Sequence, residues 1–286
     1  MKGETTAAYL SPVGALVRQH DRERYQTALF APPHQREAIF ALYAFNYEIA
    51  RVRETVREPM LGQIRLQWWR ESVAAAYAGE TPRRHVVVAP LVAAIGEFGL
   101  TRAHLDRLID ARERDLDDTP PPTLKALEDY AAASSGSLVA LALEVLGVPG
   151  AAADAAAAEV GIAYALAGLL RAMPFHAGAG RSYLPAALAE DAGLDPRDYA
   201  ARRASPALRD AVRRIADAAA VHLAAARQHR AELPRAAWPA LLPALVADRA
   251  LRRLQRAGWN PFEPHLATPD RLLPWRLAGA ALRRRF

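Results

Sequence analysis

Acidic side chains at helical spacing are the groups through which this sequence could bind a divalent cation. Carboxylate oxygens are the ligands that Mg²⁺ prefers, and residues three or four positions apart share one helix face. One stretch supplies them in number: Asp106, Asp110, Glu113, Asp115, Asp117 and Asp118. Arg107, Arg112 and Arg114 are interleaved with these acids, which is typical of a solvated helix face with local ion pairs. We therefore expect ion pairs along this stretch, with a metal site as the alternative.

Cysteine and histidine offer little further chemistry. The sequence has no cysteine, which excludes disulfides, thiolate nucleophiles and cysteine-ligated zinc or iron–sulfur centres. His176 follows a proline, and a single histidine in such a place is more often structural or exposed than catalytic. His222 and His229 lie about two helical turns apart and form no recognised metal motif. We expect no metal ion held by histidine.

The overall charge favours an anionic partner. The formal net charge is +6, and nearly all the basic residues are arginine. Such an excess suits phosphate groups, an acidic membrane surface or an acidic protein, although an arginine-rich proteome would produce the same composition. No signature of an RNA- or DNA-binding module occurs, so nucleic acid is not an expected partner.

The elements that must position these side chains are helices. Alanine, leucine and arginine dominate, β-branched residues are few, and apolar residues recur at helical spacing between proline and glycine breaks. This pattern predicts an all-α fold. No linker-like change in composition interrupts the pattern, so we expect a single domain over residues 1–286.

The proline and glycine breaks give particular boundaries in the second half of the chain. Pro174 predicts the end of a long alanine-rich helix, and the glycines that follow predict a loop. The stretches concerned are one long or broken helix over 124–146, a helix over 151–173, a loop over 176–181, a helix over 238–257 and an apolar, basic tail over 269–286.

No segment predicts a membrane span or a secretory leader. The most apolar stretches, Leu138–Leu143 and Gly161–Leu170, are shorter than the roughly 18 residues that cross a bilayer, and we expect buried core helices there. Met1–Val17 lacks a continuous apolar region followed by a small-residue cleavage site. We expect a cytoplasmic protein, soluble or peripheral to a membrane.

Two segments carry a resemblance to the squalene/phytoene synthase family. Members of that family have a Leu-Tyr-Ala-Phe segment running into Asp-Asp-x-x-Asp, and later Leu-Arg-Asp-x-x-Glu-Asp followed by Gly-Arg-x-Tyr-Leu-Pro. Residues 42–54 of this chain read LYAFNYEIARVRE, and residues 169–185 read LLRAMPFHAGAGRSYLP. The segment over 108–116 also looks like the family's. The resemblance covers most of the chain and implies a single-domain helical bundle of the isoprenoid synthase type.

The family's acidic motifs are changed in this chain. In the family they hold Mg²⁺, which neutralises the departing diphosphate when two prenyl diphosphates condense head to head. Carried over residue by residue, the motifs fall on Ala50, Arg51 and Glu54 in the first and on Ala172, Phe175 and His176 in the second. One carboxylate is left, which is too few for a cluster of Mg²⁺ ions. The resemblance therefore implies no catalytic residues, no cofactor and no metal.

An active prenyl transferase is the alternative to that interpretation. It would need displaced acidic residues, with the 106–118 stretch as the obvious source, and it would again require Mg²⁺.

A branch of the family has the same changes and includes a mitochondrial assembly factor for respiratory complex I. That branch has Ala-Phe-Asn followed by a basic and acidic run at the first motif, and Leu-Leu-Arg-Ala-x-Pro-x-His at the second. Both patterns occur here, over 44–54 and 169–176. The resemblance implies a non-catalytic role in assembly of complex I, with its subunits as partners, peripheral to the cytoplasmic face of the inner membrane.

Two uses of such a fold stay open. Cations near the mouth of the family's cavity could hold the head group of an isoprenoid or phospholipid, and the residues concerned are Arg51, Arg53, Arg171, His176, Arg181 and Tyr183. Alternatively the cavity is filled, the arginines form salt bridges, and the protein works through its outer surface. The tail over 269–286, with Trp275 and Arg283–Arg285, could dock on an anionic membrane or pack against the domain.

Overall fold

The computed structural model describes residues 10–56, 58–283 and 286, and every regular element within these ranges is a helix. The all-α prediction is confirmed. Residues 1–9, Arg57, Arg284 and Arg285 lie outside the described residues, and with them part of the Met1–Val17 segment and of the basic end of the tail.

Sixteen α-helices follow one another in the described ranges. They are α1 (Pro12–His20), α2 (Arg22–Ala28), α3 (Pro33–Ala50), α4 (Val52–Thr55), α5 (Pro59–Tyr77), α6 (Val88–Phe98), α7 (Arg102–Glu113), α8 (Leu124–Ala131), α9 (Ser137–Val145), α10 (Ala151–Gly178), α11 (Ala186–Asp191), α12 (Pro196–Ala200), α13 (Pro206–Gln228), α14 (Trp238–Leu241), α15 (Pro243–Arg256) and α16 (Leu273–Arg283). Several begin at a proline, whose fixed φ suits the first helical turn. Others begin after a side-chain cap, such as Thr123, whose Oγ1 accepts a hydrogen bond from the Ala126 N–H at 3.2 Å.

Helix α10 runs through the middle of the bundle. It packs against α8 and α9 on one side and against α13 and α15 on the other. One face of it touches neighbouring backbone directly: a Cβ built on Gly161 would overlap the Cα and N of Gly136. The buried residues form one hydrophobic cluster to which helices from α1 to α16 contribute.

The stretch predicted as one long or broken helix over 124–146 is a helix with a wide turn inside it. Helix α8 passes into a π-helical turn over Ala132–Gly136, and α9 continues from Ser137. A π turn inserts one extra residue into a helix and often lies at a functional site. In this chain it turns the buried Ser134 and Ser135 towards the interior of the bundle.

The prediction that Pro174 ends the alanine-rich helix is wrong. Helix α10 continues to Gly178, and the predicted loop over 176–181 begins only after it, with Gly180 in the left-handed region at φ 69°. A proline removes one backbone hydrogen bond, but the helical hydrogen bonds continue after it, and the Ala179 N–H donates to the Phe175 oxygen at 3.0 Å. The predicted helix over 238–257 is likewise two helices, α14 and α15, which meet at Pro243.

Helix α10 is also long and apolar enough to cross a membrane, the only such helix among the described residues. Its most apolar window is 61% buried inside the bundle, as expected for the core helix of a globular protein. The segment Gly161–Leu170 within it is largely buried, in line with the expectation of a core helix.

The tail packs against the rest of the chain. Leu273 and Leu277 of α16 are buried, and the ring of Phe286 meets that of Trp238 at 5.6 Å between centroids. The opposite face of α16 points outward and carries Trp275. Of the two alternatives for the tail, packing against the domain is therefore observed for one face.

Candidate functional site

The first-motif positions lie where α3 ends and α4 begins. Ala50 is the last residue of α3, and Glu54 is exposed on α4. The guanidinium of Arg51 lies 3.5 Å from Glu48 and over the ring of Tyr47. These side chains do not supply the two unpaired carboxylates that a metal ion would need. The guanidinium of Arg51 adds a positive charge at the same position.

The second-motif positions lie in the last turns of α10. Ala172 has no ligand atom, and Phe175 is 54% exposed. His176 is half-buried, with its ring centroid 4.8 Å from that of Tyr183. Burial, followed by the charge of Arg181, lowers the pKa of His176 to about 4. The imidazole is therefore neutral at neutral pH and cannot hold an anion by charge.

A largely buried arginine on α7, with 14% of its side chain exposed, links three helices beneath these positions. Arg112 donates to the Tyr130 hydroxyl at 2.7 Å, to the Asn46 amide oxygen at 3.2 Å and to the Asp115 carboxylate at 3.2 Å. The Tyr183 hydroxyl donates to the same carboxylate at 2.6 Å. Burial raises the pKa of Tyr130 and of Tyr183, so both phenols stay protonated. The hydrogen bonds of Arg112 therefore tie α3, α7 and α8 together.

A second largely buried arginine lies between α2, α3 and α10. The guanidinium of Arg24 donates to Asp21 at 2.9 Å and lies 4.5 Å from the ring centroid of Tyr164. It also lies 5.8 Å from the ring centroid of Tyr43 and 3.4 Å from the Ser135 hydroxyl in the π turn. Burial alone would lower the pKa of Arg24, but its neighbours, Tyr164 and Asp21 foremost, raise it above its usual value.

These side chains leave little space between them. A cavity enclosed by His176, Tyr183, Met173, Leu127 and their neighbours measures about 10 Å³. A cavity of that size holds about one water molecule. Beside His176 the interior is therefore filled by protein, whereas Ala172 lines a much larger cleft.

The acidic stretch forms ion pairs, as its interleaved arginines indicated. Arg70 contacts Asp110 at 2.5 Å and Glu113 at 2.9 Å, and Arg102 contacts Asp106 at 3.2 Å. Within the described ranges no group of three or more histidine, aspartate or glutamate side chains is placed to hold a metal ion. Neither the motif positions nor this stretch supplies the cluster of unpaired carboxylates that would hold the family's Mg²⁺. Asp115 differs from the rest because it is buried.

The six head-group candidates do not form one cluster. Arg53 is paired with Asp118 at 2.9 Å, whereas Arg171 is paired with Glu23 through two hydrogen bonds of 2.6 and 2.8 Å. Arg51 lines a cleft with Trp68, Trp69 and His85, while His176 and Tyr183 lie in the interior near Arg181. The salt-bridge alternative thus describes Arg53 and Arg171.

Arg171 lines a larger cleft that the sequence did not indicate. This arginine-lined cleft measures about 630 Å³ and lies between α2, α10 and the segment before α16. Its further arginines are Arg22, Arg24, Arg253 and Arg271, and the acids among them are Asp21, Glu23 and Asp270. Arg253 donates to the main-chain oxygens of Thr268 and His265, so its charge is not neutralised by a carboxylate there. These arginines are far apart in the sequence and had no motif to mark them.

His222 also has partners that its sequence neighbours do not supply. Its Nδ1 lies 2.6 Å from Glu159 on α10, and its Nε2 lies 3.5 Å from Glu128 on α8. The cluster joins α13 to α8 and α10. Its residues come from three separate helices, so spacing along one helix could not reveal it.

An all-α bundle with motif positions at the end of α3 and in the last turns of α10, and with arginine networks in its interior, defines the class of protein. The sequence profile described as "Squalene/phytoene synthase" matches residues 17–278. The chain belongs to the squalene/phytoene synthase family.

Its similar relatives include two kinds of protein. The chain is 35% identical over 271 residues to complex I assembly factor 6 of Mus musculus, covering 95% of this chain and 81% of the relative. It is 34% identical over 259 residues to the Homo sapiens protein of the same name, covering 91% and 78%. It is also 31% identical over 215 residues to presqualene diphosphate synthase of Rhodopseudomonas palustris, covering 74% and 75%.

Solved structures share the fold at lower identity. The squalene synthase HpnC from Alicyclobacillus acidocaldarius superposes with a TM-score of 0.78 at 24% identity, covering 87% of this chain and 94% of the other. A dehydrosqualene synthase in complex with ligand gives a TM-score of 0.83 at 18% identity, covering 95% and 94%. The predicted isoprenoid-synthase type of bundle is confirmed by these matches.

Proposed function

We propose that this protein is a non-catalytic member of its family that acts in assembly of respiratory complex I through its outer surface. The observation that carries the proposal is the loss of the metal ligands at both sets of motif positions, together with the filled interior beside His176. Where the family's enzymes are expected to hold Mg²⁺, this chain has alanine, arginine, phenylalanine and a neutral histidine, and beneath them lie the buried guanidiniums of Arg24 and Arg112.

Electrostatics supports the absence of metal-dependent turnover. Diphosphate leaves only when its developing charge is neutralised, and a Mg²⁺ cluster does this through several carboxylates. The carboxylate of Asp115 is engaged by Arg112 and Tyr183, and that of Asp21 is engaged by Arg24. A cation that entered would compete with guanidiniums that are already hydrogen-bonded to these acids.

Similarity to relatives supports the choice of role. The relatives named as complex I assembly factors align over nearly the whole chain, and those named as presqualene diphosphate synthases over about three quarters of it. Since both kinds belong to one family, the changed motifs and the filled interior beside His176 support the assembly role.

Deleting the gene in its own organism tests the role. We expect less assembled complex I in the membranes and a lower NADH:quinone oxidoreductase activity, both restored by the wild-type gene. A variant that adds bulk where Ala172 lines the arginine-lined cleft, Ala172→Leu, should restore assembly equally well, because no substrate has to enter. Unchanged complex I in the deletion strain would contradict the proposal.

The arginine-lined cleft favours a second candidate, which is binding of an isoprenoid or phospholipid head group without a metal. Arginine recognises phosphate through paired hydrogen bonds, and the cleft offers mixed polar and apolar walls. Farnesyl diphosphate in the presence of EDTA should raise the melting temperature through preferential binding to the native state. Arg253→Gln with Arg271→Gln should abolish the shift, and no shift for the wild type at any concentration would exclude this candidate.

A further inference from the structure

Helix α16 carries apolar residues on two opposite faces. Leu273, Leu277 and Ala280 are buried against the bundle. On the other side, Leu272 just before the helix is 54% exposed, and Trp275 and Leu282 are each 78% exposed. At the helical repeat of 100° per residue, Trp275 and Leu282 lie seven residues apart on one face, with Leu272 beside them. We call these three residues the outer stripe.

The outer stripe is fixed in this orientation because α16 is held at both ends. Before the helix, Asp270 is paired with Arg249 of α15. After it, the main-chain oxygen of Phe286 accepts a hydrogen bond from Arg227 of α13 at 3.0 Å, and the Phe286 ring packs on Trp238. The helix therefore cannot rotate to bury Trp275 without breaking these contacts.

Positive charge surrounds the outer stripe. Arg276 and Arg283 lie on the helix next to it, and Arg271 precedes it. The acidic residue nearest in sequence, Asp270, is 13% exposed and engaged by Arg249, with Arg276 at 3.6 Å. The arginine-lined cleft continues this basic surface, because Pro274 lines it together with Arg22 and Arg253.

We propose that the outer stripe docks α16 on the surface of an anionic lipid bilayer. A tryptophan and two leucines would enter the boundary between head groups and acyl chains, while the arginines beside them meet lipid phosphates. A protein partner is the less fitting occupant, because the stripe is a ridge of three side chains without a groove or an acidic residue to set a register. The inference goes beyond the proposed function, since a complex I assembly role does not require it.

Vesicle sedimentation tests this docking with the full chain. The probes are vesicles of phosphatidylcholine alone and of phosphatidylcholine with phosphatidylglycerol. We expect binding to the anionic vesicles only, with a loss of affinity as salt rises. Trp275→Ala should weaken binding about tenfold, and neutralising Arg276 or Arg283 with glutamine about fivefold each.

Val221→Ala is the matched control. Val221 is 67% exposed on α13 and outside the outer stripe, so its loss should leave vesicle binding unchanged. The exposed positions can be changed without touching the core, and an unchanged melting temperature for Trp275→Ala and Leu282→Ala would confirm this. Equal binding to neutral vesicles, no binding at all, or full binding by Trp275→Ala would each overturn the inference. Concentration-dependent self-association lost in Trp275→Ala would do so too, by assigning the stripe to a second copy.

Failure of this test leaves the proposed function intact. Complex I content in the deletion strain depends on the presence of the protein, and it is measured independently of vesicle binding. A Trp275→Ala gene that fails to bind vesicles but restores complex I would separate the two outcomes.

Discussion

At the scale of single residues, the interior is marked by two largely buried arginines, Arg24 and Arg112. Removing one partner of a buried ion pair leaves an uncompensated charge in a poor solvent, which costs far more than the pair contributes when intact. Arg112 is such a partner, since its side chain is 14% exposed and that of Asp115 is 7% exposed. Substituting Arg112 should therefore lower the free energy of unfolding by a measurable amount.

Arg112→Met should lower the free energy of unfolding by about 3 kcal/mol, because Asp115 would keep its charge and lose its guanidinium. Urea denaturation at neutral pH measures this. Arg102→Met on the same helix is the control: its partner Asp106 is exposed, so we expect a loss below about 1 kcal/mol. Equal effects of the two substitutions would contradict the assignment of Arg112 to the buried network.

His176 should make stability depend on pH. Its pKa in the folded state is lowered from 6.5 to about 4. Between these two pH values the imidazole is protonated in the unfolded chain and neutral in the folded chain. The contribution of His176 to the free energy of unfolding is fully present above pH 6.5 and is lost as the pH falls towards 4. Between pH 7.5 and 5 the wild type should lose about 1 to 2 kcal/mol more than His176→Gln, after allowance for partial exposure. Parallel pH profiles in urea denaturation would count against this.

Single residues could be predicted where a motif marks them and not where only the fold joins them. The motif positions from Ala50 to His176 followed from the resemblance alone. Arg24 and Arg112 did not, because their partners Tyr164 and Asn46 are more than sixty residues away in sequence. The ion pairs of the 106–118 stretch were expected, but the burial of Asp115 depends on Tyr183 from a distant loop.

The elements show the same division between local and tertiary causes. Local rules gave the helix starts at positions 124, 151 and 238, because caps and breaks act within a few residues. Local rules failed at Pro174, where α10 continues to Gly178 and the His176 ring in its last turn packs against Tyr183. The π turn in 132–136 also lacked a local signal, and its close approach to α10 explains why glycine occupies position 161.

Gly161→Ala tests that close approach. The new Cβ would overlap backbone atoms of Gly136, which cannot move aside as a side chain can, so α10 and the π turn must separate. We expect a loss of about 2 kcal/mol in urea denaturation. Gly168→Ala on the same helix meets nothing within 4 Å and should instead stabilise by up to about 1 kcal/mol. A neutral Gly161→Ala would show that the two backbones do not touch.

The whole molecule combines an enzyme family's fold with an interior that lacks the family's metal ligands. The fold was predictable because the resemblance covered most of the chain and helical spacing marked the elements. The filling of the interior was not, since it depends on how side chains from α2, α3, α7 and α10 meet. The arginine-lined cleft and the outer stripe are likewise products of the assembled bundle, and both lie on its surface.

Turnover of prenyl diphosphates tests the central claim most directly. The purified full chain would be incubated with farnesyl diphosphate or geranylgeranyl diphosphate and Mg²⁺, beside an active presqualene diphosphate synthase as positive control. With the motif positions changed and the interior filled, we predict no release of diphosphate above the protein-free rate and no effect of Mg²⁺. Mg²⁺-dependent formation of presqualene diphosphate, squalene or phytoene would contradict the account.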